Sequence, residues 1–324
     1  MQNCSVCSHL KKKILWEKKL FDYGVIARFL EYIAVEKKYS PRTVEAYQED
    51  LKSFCGFMNV EMDALDVSKI HEHEVKMWLV ALMDEEKQSP RSVKRKLSCL
   101  KSFYRFLLKV GVVDKDITRM IISPKIDKPL PVFFKQHEMQ RATAYDDAAD
   151  DFESIRDTLI INVLYQTGMR QAELLGLQDV DVDIHQRQIR VFGKRRKERI
   201  IPIGDSLVEQ IKKYLNVRSE FQDVGAFFVR VCDKKGVVPM TKGVLYRIVC
   251  ARMGEVSTLK KHSPHVLRHT FATTMLDNGA DIRTIQSLMG HASLAATQVY
   301  THTTFEQIKK VYKTAHPRAT KRKE

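Results

Sequence analysis

The stretch S-P-H-V-L-R-H-T, residues 263–270, decides how the rest of the chain is read. Ser263 has the side chain of an N-cap and Pro264 suits a first helical position, so a helix is predicted to start here. His265 then lies in the first turn, with Arg268 three residues on along the same face. A helix start presents unpaired N–H groups and the positive end of the helix dipole. An arginine and a histidine beside it make a candidate oxyanion site. The competing reading is a polar helix start facing water, and the rest of the sequence has to separate the two. His269 points elsewhere and reads as a packing or orienting residue.

The device appears twice more. T-G-M-R-Q-A-E-L-L-G-L (167–177) stops one helix at Gly168 and starts another near Arg170; Glu173, three residues on, is placed to hold that arginine's fork or to cap the new turn. L-M-G-H-A-S-L-A-A-T-Q-V-Y (288–300) stops a helix at Gly290, puts His291 in the turn and restarts at Ser293. Tyr300 falls two turns further along roughly the same face. Each piece alone is common: an arginine after glycine is mostly a surface residue, and a histidine in a turn is mostly a satisfied polar group. The ordered set Arg170, Lys194, His265 with Arg268, His291 and Tyr300 is what carries weight.

The chain has 324 residues, enough for two domains with sizeable cores. Hydrophobic residues at 44% and charged residues at 29% are an ordinary globular composition. Apolar runs such as T-L-I-I-N-V-L-Y (158–165) are too short to cross a membrane, and no signal-peptide core is visible at the start, so no membrane partner and a cytoplasmic location are expected. Cysteines 4, 7, 55, 99, 232 and 250 form no disulfide framework. Cys4 and Cys7, with His9 beside them, lack the second ligand pair of a structural zinc, so no metal is expected there. A net charge of +15 suits a polyanionic partner, nucleic acid first.

I-S-P-K-I-D-K-P-L-P-V-F-F (122–134) has three prolines within eight residues and reads as an extended linker. Ahead of it the chain reads as helices, with Ser40-Pro41 and Ser89-Pro90 as helix starts. In the helix from Pro90, Val93, Leu97, Leu100, Tyr104, Leu107 and Leu108 form an apolar stripe. Arg91, Lys94, Arg95, Lys101, Arg105 and Lys109 fall on an adjoining face, and residues 87–109 hold eight Lys or Arg and no acid. A solvated face normally mixes signs, so an unmixed one suits phosphates. Arg42, Arg91, Lys94, Arg95, Lys101 and Arg105 are the DNA-binding candidates. Beyond the linker, residues 151–168 read as a helix closed by glycine, and 180–184, 188–192 and 199–203 as short strands. The basic loop G-K-R-R-K-E joins the last two, and helical patterns are expected from there to the end.

T-G-M-R-Q-A-E-L-L-G-L, G-K-R-R-K-E-R-I-I-P-I, H-x-L-R-H-T-F-A, L-M-G-H-A-S and the terminal V-Y-T-H-T-T-F-E-Q-I-K-K-V-Y-K-T-A-H-P-R-A stand in this order, and several long motifs in order are far more specific than any one. Over residues 24–319 the chain resembles the tyrosine recombinases, and within them the Xer-like branch. The resemblance implies a mainly α fold with a small β-sheet, as a two-domain C-shaped clamp. Residues 1–23 would be an N-terminal extension, 24–120 a helical, SAM-like core-binding domain, 121–135 the linker, and 136–324 an α+β catalytic domain ending in a protomer-docking helix.

It also implies a reaction, the cutting and rejoining of DNA through a covalent 3′-phosphotyrosyl link and a Holliday junction, most naturally in chromosome dimer resolution. Tyr300 would be the nucleophile, Arg170 and Arg268 the phosphate clamp and His291 a further donor. His265 would be the base and Lys194 the acid for the leaving 5′-oxygen, with Glu173 behind Arg170. The link conserves the phosphate-bond energy, so no ATP, cofactor or metal is expected. The implied partners are double-stranded DNA with paired inverted sites, a homo- or hetero-tetramer on two duplexes joined through the C-terminal helix (Phe305, Ile308, Val311 and Tyr312 at helical spacing), and a DNA translocase as a candidate activator. An integrase or invertase of a mobile element shares this chemistry. A non-catalytic architectural DNA-binding protein would explain the charge but not the six filled positions.

Overall fold

In the computed structural model the residues described are 24–126, 132–144, 151–193, 198–232, 236–290 and 302–319. They form two compact units, divided between Pro129 and Leu130. Cys4, Cys7, Lys194, His291 and Tyr300 lie outside the described residues. Among the described residues no helix is long and apolar enough to cross a membrane.

The first unit is helical: α1 (Val25–Val35), α2 (Pro41–Phe57), α3 (Glu72–Asp84) and α4 (Pro90–Lys109). Both Ser-Pro starts form as read. The Ser40 side chain accepts from the Thr43 N–H at 3.3 Å and that of Ser89 from the Ser92 N–H at 3.2 Å, with proline at the first helical position. The core is strongly aromatic. Phe29 meets Phe103 edge-on at 5.3 Å, and Phe54 meets Trp78 at 5.0 Å, geometries that add to simple area burial.

α4 buries Val93, Leu97, Leu100, Tyr104 and Leu107, but also Cys99, Phe103 and Phe106, so its apolar face is wider than the predicted stripe. Leu108, read as part of that stripe, is exposed instead. It lines a surface cavity with Glu72, Asp116 and Met120.

The basic face is less uniform than the sequence suggests. Arg91 and Lys94 are exposed, whereas Lys96 is buried beneath Trp78, with Nζ 5.7 Å from the ring centroid. Arg95 donates to the buried carboxylate of Asp50 and to the Ala46 carbonyl. Lys101 donates to the Ile121 carbonyl at 2.9 Å, and Arg105 back to the Lys101 carbonyl at 3.0 Å. Arg42 is exposed in the first turn of α2.

The second unit holds α5 (Gln136–Ala142), α6 (Phe152–Thr167), α7 (Gln171–Leu175), β1 (Val182–Asp183), β2 (Gln188–Phe192), β3 (Glu198–Pro202), α8 (Asp205–Arg218), β4 (Val229–Cys232), β5 (Gly236–Pro239), α9 (Lys242–Gly254), α10 (Pro264–Asp277), α11 (Ile282–Met289) and α12 (His302–Ala315). The chain is thus mostly helical with two small antiparallel sheets, β1-β2-β3 and β4-β5. Ile189 pairs with Ile201 and Val191 with Arg199 across β2 and β3. The strand read at 180–184 shrinks to two residues, because a 3-10 turn over Asp179–Asp181 takes its start. The β4-β5 hairpin interrupts the helical continuation that the sequence predicts there; V-R-V-C and G-V-V-P are four residues each, too short for their periodicity to stand out.

α6 is the central rod of this unit. It is buried on nearly every side from Ile155 to Thr167, and α8 and α10 pack against it. α12 lies on its own unit: Ile308, Tyr312 and Ala315 enter the core, followed by His316 and Ala319. The Ala315 carbonyl accepts from the Asn278 amide at 2.8 Å, and Arg318 donates to the Thr143 hydroxyl.

The Arg95–Asp50 pair leads to a stability prediction. Removing the guanidinium deprives a buried carboxylate of its main donor, with only Lys96 Nζ in range at 3.9 Å. Arg95→Ala is expected to destabilise the first unit by about 1–2 kcal/mol, read as a lower urea midpoint. An unchanged midpoint would show that the pair contributes nothing to folding.

Candidate active site

Residues 263–270 fold as the sequence reading required. The Ser263 hydroxyl accepts from the Val266 N–H, Pro264 opens α10, His265 stands exposed in the first turn and Arg268 is buried one turn on. α6 ends at Gly168, whose φ of 60° is left-handed and whose face lies on the Phe271 ring; a Cβ there would approach that ring to 2.3 Å. Glycine is required on both counts. α11 ends in the same way at Gly290, with φ 63°.

These helix ends bring the arginines together. Arg268 donates from Nη1 to the Gly168 carbonyl at 2.6 Å and from Nη2 to the Met289 carbonyl at 2.6 Å. Arg170 donates from Nη2 to the Gly290 carbonyl at 3.1 Å and from Nη1 to Glu173 Oε1 at 2.8 Å. Glu173 Oε2 accepts from the Arg170 backbone N–H at 2.7 Å, so this carboxylate both caps α7 and holds the fork. The sequence reading offered those as alternatives, and the geometry realises both.

Arg199 completes the cluster, and the sequence reading missed it. It donates from Nη1 and Nη2 to the two Glu173 oxygens, at 3.0 and 2.7 Å, and from Nε to the Leu288 carbonyl at 2.7 Å. The last three carbonyls around the end of α11, those of residues 288, 289 and 290, thus each accept from a different arginine. This is the negative end of a helix dipole, where cations are stabilised. A signal for Arg199 was present: in R-I-I-P-I, alternation puts it on the same face as Ile201, and an inward arginine needs a partner.

Electrostatics follow from burial and count. Burial lowers the Arg268 pKa to about 10, with the charge of Arg170 acting in the same direction. It remains a cation at neutral pH. Burial works against an ionised Glu173, but the hydrogen bonds and charge of Arg199, then those of Arg170, outweigh it and hold the carboxyl below its usual range. Burial also lowers the His265 pKa, helped by His269, Arg268 and Lys261, so its imidazole is neutral at neutral pH. Three guanidiniums against one carboxylate leave the cluster two positive charges. Arg170, with its side chain 42% exposed, is the member facing solvent.

Of the predicted site residues the structure brings together Arg170, Glu173 and Arg268, with His265 on the same helix start as Arg268. Lys194 falls in sequence between β2 and β3, His291 follows the end of α11, and Tyr300 precedes α12. The Arg42, Arg91, Lys94, Arg95, Lys101 and Arg105 set belongs to the first unit.

A pair of guanidiniums converging at two helix ends, backed by a carboxylate and with a histidine on the same helix start, has the donors and charge to bind an oxyanion. The phage integrase family matches residues 133–307, and the N-terminal SAM-like domain of phage integrases matches residues 26–111. The chain belongs to the phage integrase family, the tyrosine recombinases, enzymes that cut and rejoin DNA.

Among its relatives, a tyrosine recombinase XerC of Chlorobaculum parvum is 34% identical over 90% of this chain and 94% of its own length. A tyrosine recombinase XerC of Pelobacter propionicus is 36% identical over 91% and 95%. The fold is shared with the XerH site-specific recombinase bound to difH substrate in a pre-cleavage complex, at 21% identity, 87% and 83% coverage and a TM-score of 0.61. It is shared too with the Tn1549 transposon integrase in complex with transposon right end DNA, at 18% identity, 89% and 98% coverage and a TM-score of 0.64.

Proposed function

We propose that this chain is a site-specific recombinase of the Xer type, which resolves chromosome dimers by exchanging strands at a site with paired inverted arms. The observation that carries the reading is the convergence of Arg170 and Arg268 on the end of α11, immediately before His291. The XerC relatives, matched over nine-tenths of the chain, favour the chromosomal role over a mobile-element one.

The chemistry follows from charge and donors. A phosphodiester brings one negative charge to the site and its five-coordinate transition state a second, which the two surplus positive charges of the cluster balance. Arg170 and Arg268 present their remaining N–H donors to the non-bridging oxygens, and His291 adds another. Losing one such preorganised donor typically costs about 10²–10³ in rate. The Tyr300 oxygen attacks phosphorus, its proton passes to neutral His265, and the P–O bond to the 5′-oxygen breaks. Lys194 protonates that oxygen as it leaves. A 3′-phosphotyrosyl link and a free 5′-hydroxyl result, and attack by a partner strand's 5′-hydroxyl reverses each step. Lys194, His291 and Tyr300 enter on the motifs that carry them.

Double-stranded DNA is the substrate. We assign phosphate contacts in the first unit to the exposed Arg42, Arg91, Lys94 and Arg105, with the half-buried Lys101 beside them. Arg95 is an internal partner first. The domain limits are those of the sequence reading, 24–120 and 136–324 joined by 121–135, in a protein of the cytoplasm. Two protomers bind each duplex and four form the synapse, homo- or heteromeric, with a DNA translocase as the outside activator.

Three measurements test this. Wild-type protein incubated with a nicked suicide duplex should form a covalent adduct, whereas Tyr300→Phe should bind the duplex equally and form none; an adduct surviving the change removes Tyr300 from the mechanism. The single-turnover adduct rate should be flat from pH 7 to 8 and fall as the medium drops through the depressed His265 pKa, because protonation blocks the base. His265→Gln should lose that acidic limb, and an unaltered profile excludes His265 as the base. Sequencing DNA trapped on the protein in cells should return one chromosomal site, with four protomers on paired duplexes by native mass measurement; element ends instead would assign the mobile-element role.

A further inference from the structure

Arg199 is 4% exposed and spends its fork on Glu173 and its Nε on the Leu288 carbonyl. All three of its side-chain nitrogens are thus engaged by internal partners. The residue is poorly explained as a contribution to stability. A buried ion pair is seldom more stable than apolar side chains of similar volume, and Arg199 sits beside Ile201 on the core face of β3, where an apolar residue would pack. What the pair supplies is geometry.

Glu173 stands on the five-residue helix α7 and is the anchor of Arg170, a long side chain with much rotamer freedom at the exposed edge of the site. Held by Arg170 alone, the carboxylate could swing with it. Arg199 holds both oxygens from a paired strand, and a rigid element positions a group better than a loop does. The same guanidinium ties the carbonyl row ahead of His291 to the strand that follows the Lys194 loop. Gly290 leaves room for it, since a Cβ there would lie 3.1 Å from Arg199 Nη1.

We infer that Arg199 is a positioning residue for strand cleavage: through Glu173 it fixes Arg170, and through the Leu288 carbonyl it fixes the end of α11, so that the phosphate clamp is set before DNA arrives. This rests on the reading that Arg170 and Arg268 bind the scissile phosphate. Arg199→Lys keeps the charge and loses the fork; Arg199→Gln loses both. Each is made in the full chain, alone and with Arg170→Lys, and assayed for single-turnover adduct formation on saturating suicide duplex, for duplex affinity and for melting temperature.

Adduct formation is expected to fall about 10- to 100-fold in the single variants, the scale of a misplaced reacting group, with affinity within about twofold. With Arg170 already replaced, the further loss from Arg199→Lys should shrink to less than about threefold, because residues acting as one unit are not additive. A wild-type rate in both single variants overturns the inference. So does an equal fold-loss with and without Arg170→Lys, or melting of both variants below the assay temperature, which would make Arg199 a folding residue. If the wild-type protein itself forms no adduct, it is the recombinase reading of the site that fails.

Discussion

A buried carboxylate surrounded by cations is the constraint on which the second unit depends. Glu173 accepts four hydrogen bonds, two from Arg199 and two from Arg170, one of the latter being the backbone N–H that opens α7. Without it, guanidiniums gathered in a water-poor region would repel one another and lose hydration with no return. With it they can crowd together and still leave a positive surplus. In the proposed reaction that surplus is what a phosphodiester would gain from binding here, and what its transition state would gain further.

The fold supplies the second half of the compensation through helix ends. α6 and α11 both stop at left-handed glycines, and each stop leaves carbonyls that the helix no longer satisfies. Arg268 bridges the two, from the Gly168 carbonyl to the Met289 carbonyl. The arginines are therefore structural donors first, with N–H groups to spare for a ligand. This economy explains why α6 is buried on almost all sides and why Phe271 lies against Gly168: the stop has to be rigid for the donors to be aimed. The packing of α12 on the same unit closes the core next to α6 and α10.

The first unit shows how a charged helix face divides its labour. A cation next to an apolar stripe can turn inward along its own methylenes, as Lys96 does over Trp78, or find a buried acid, as Arg95 does with Asp50. Arg91, Lys94 and Arg105 stay exposed. A run of like charge in sequence therefore overstates the charge that a polyanion meets.

Much of this was determined by the sequence alone, because the interactions concerned are local. Ser-Pro helix starts, glycine helix stops, the apolar stripe of α4, the β2-β3 hairpin and the Arg170–Glu173 spacing each depend on residues within a turn or two of one another. Ordered motifs are specific enough to carry the family resemblance by themselves. The tertiary structure alone decided which cations are partners of the protein, that the row of carbonyls at 288, 289 and 290 is shared among three arginines, and that Arg199 belongs to the site. Those contacts join residues 21 to 120 positions apart. Burial, not spacing, sets what an arginine must find there, and burial is a property of the packed chain.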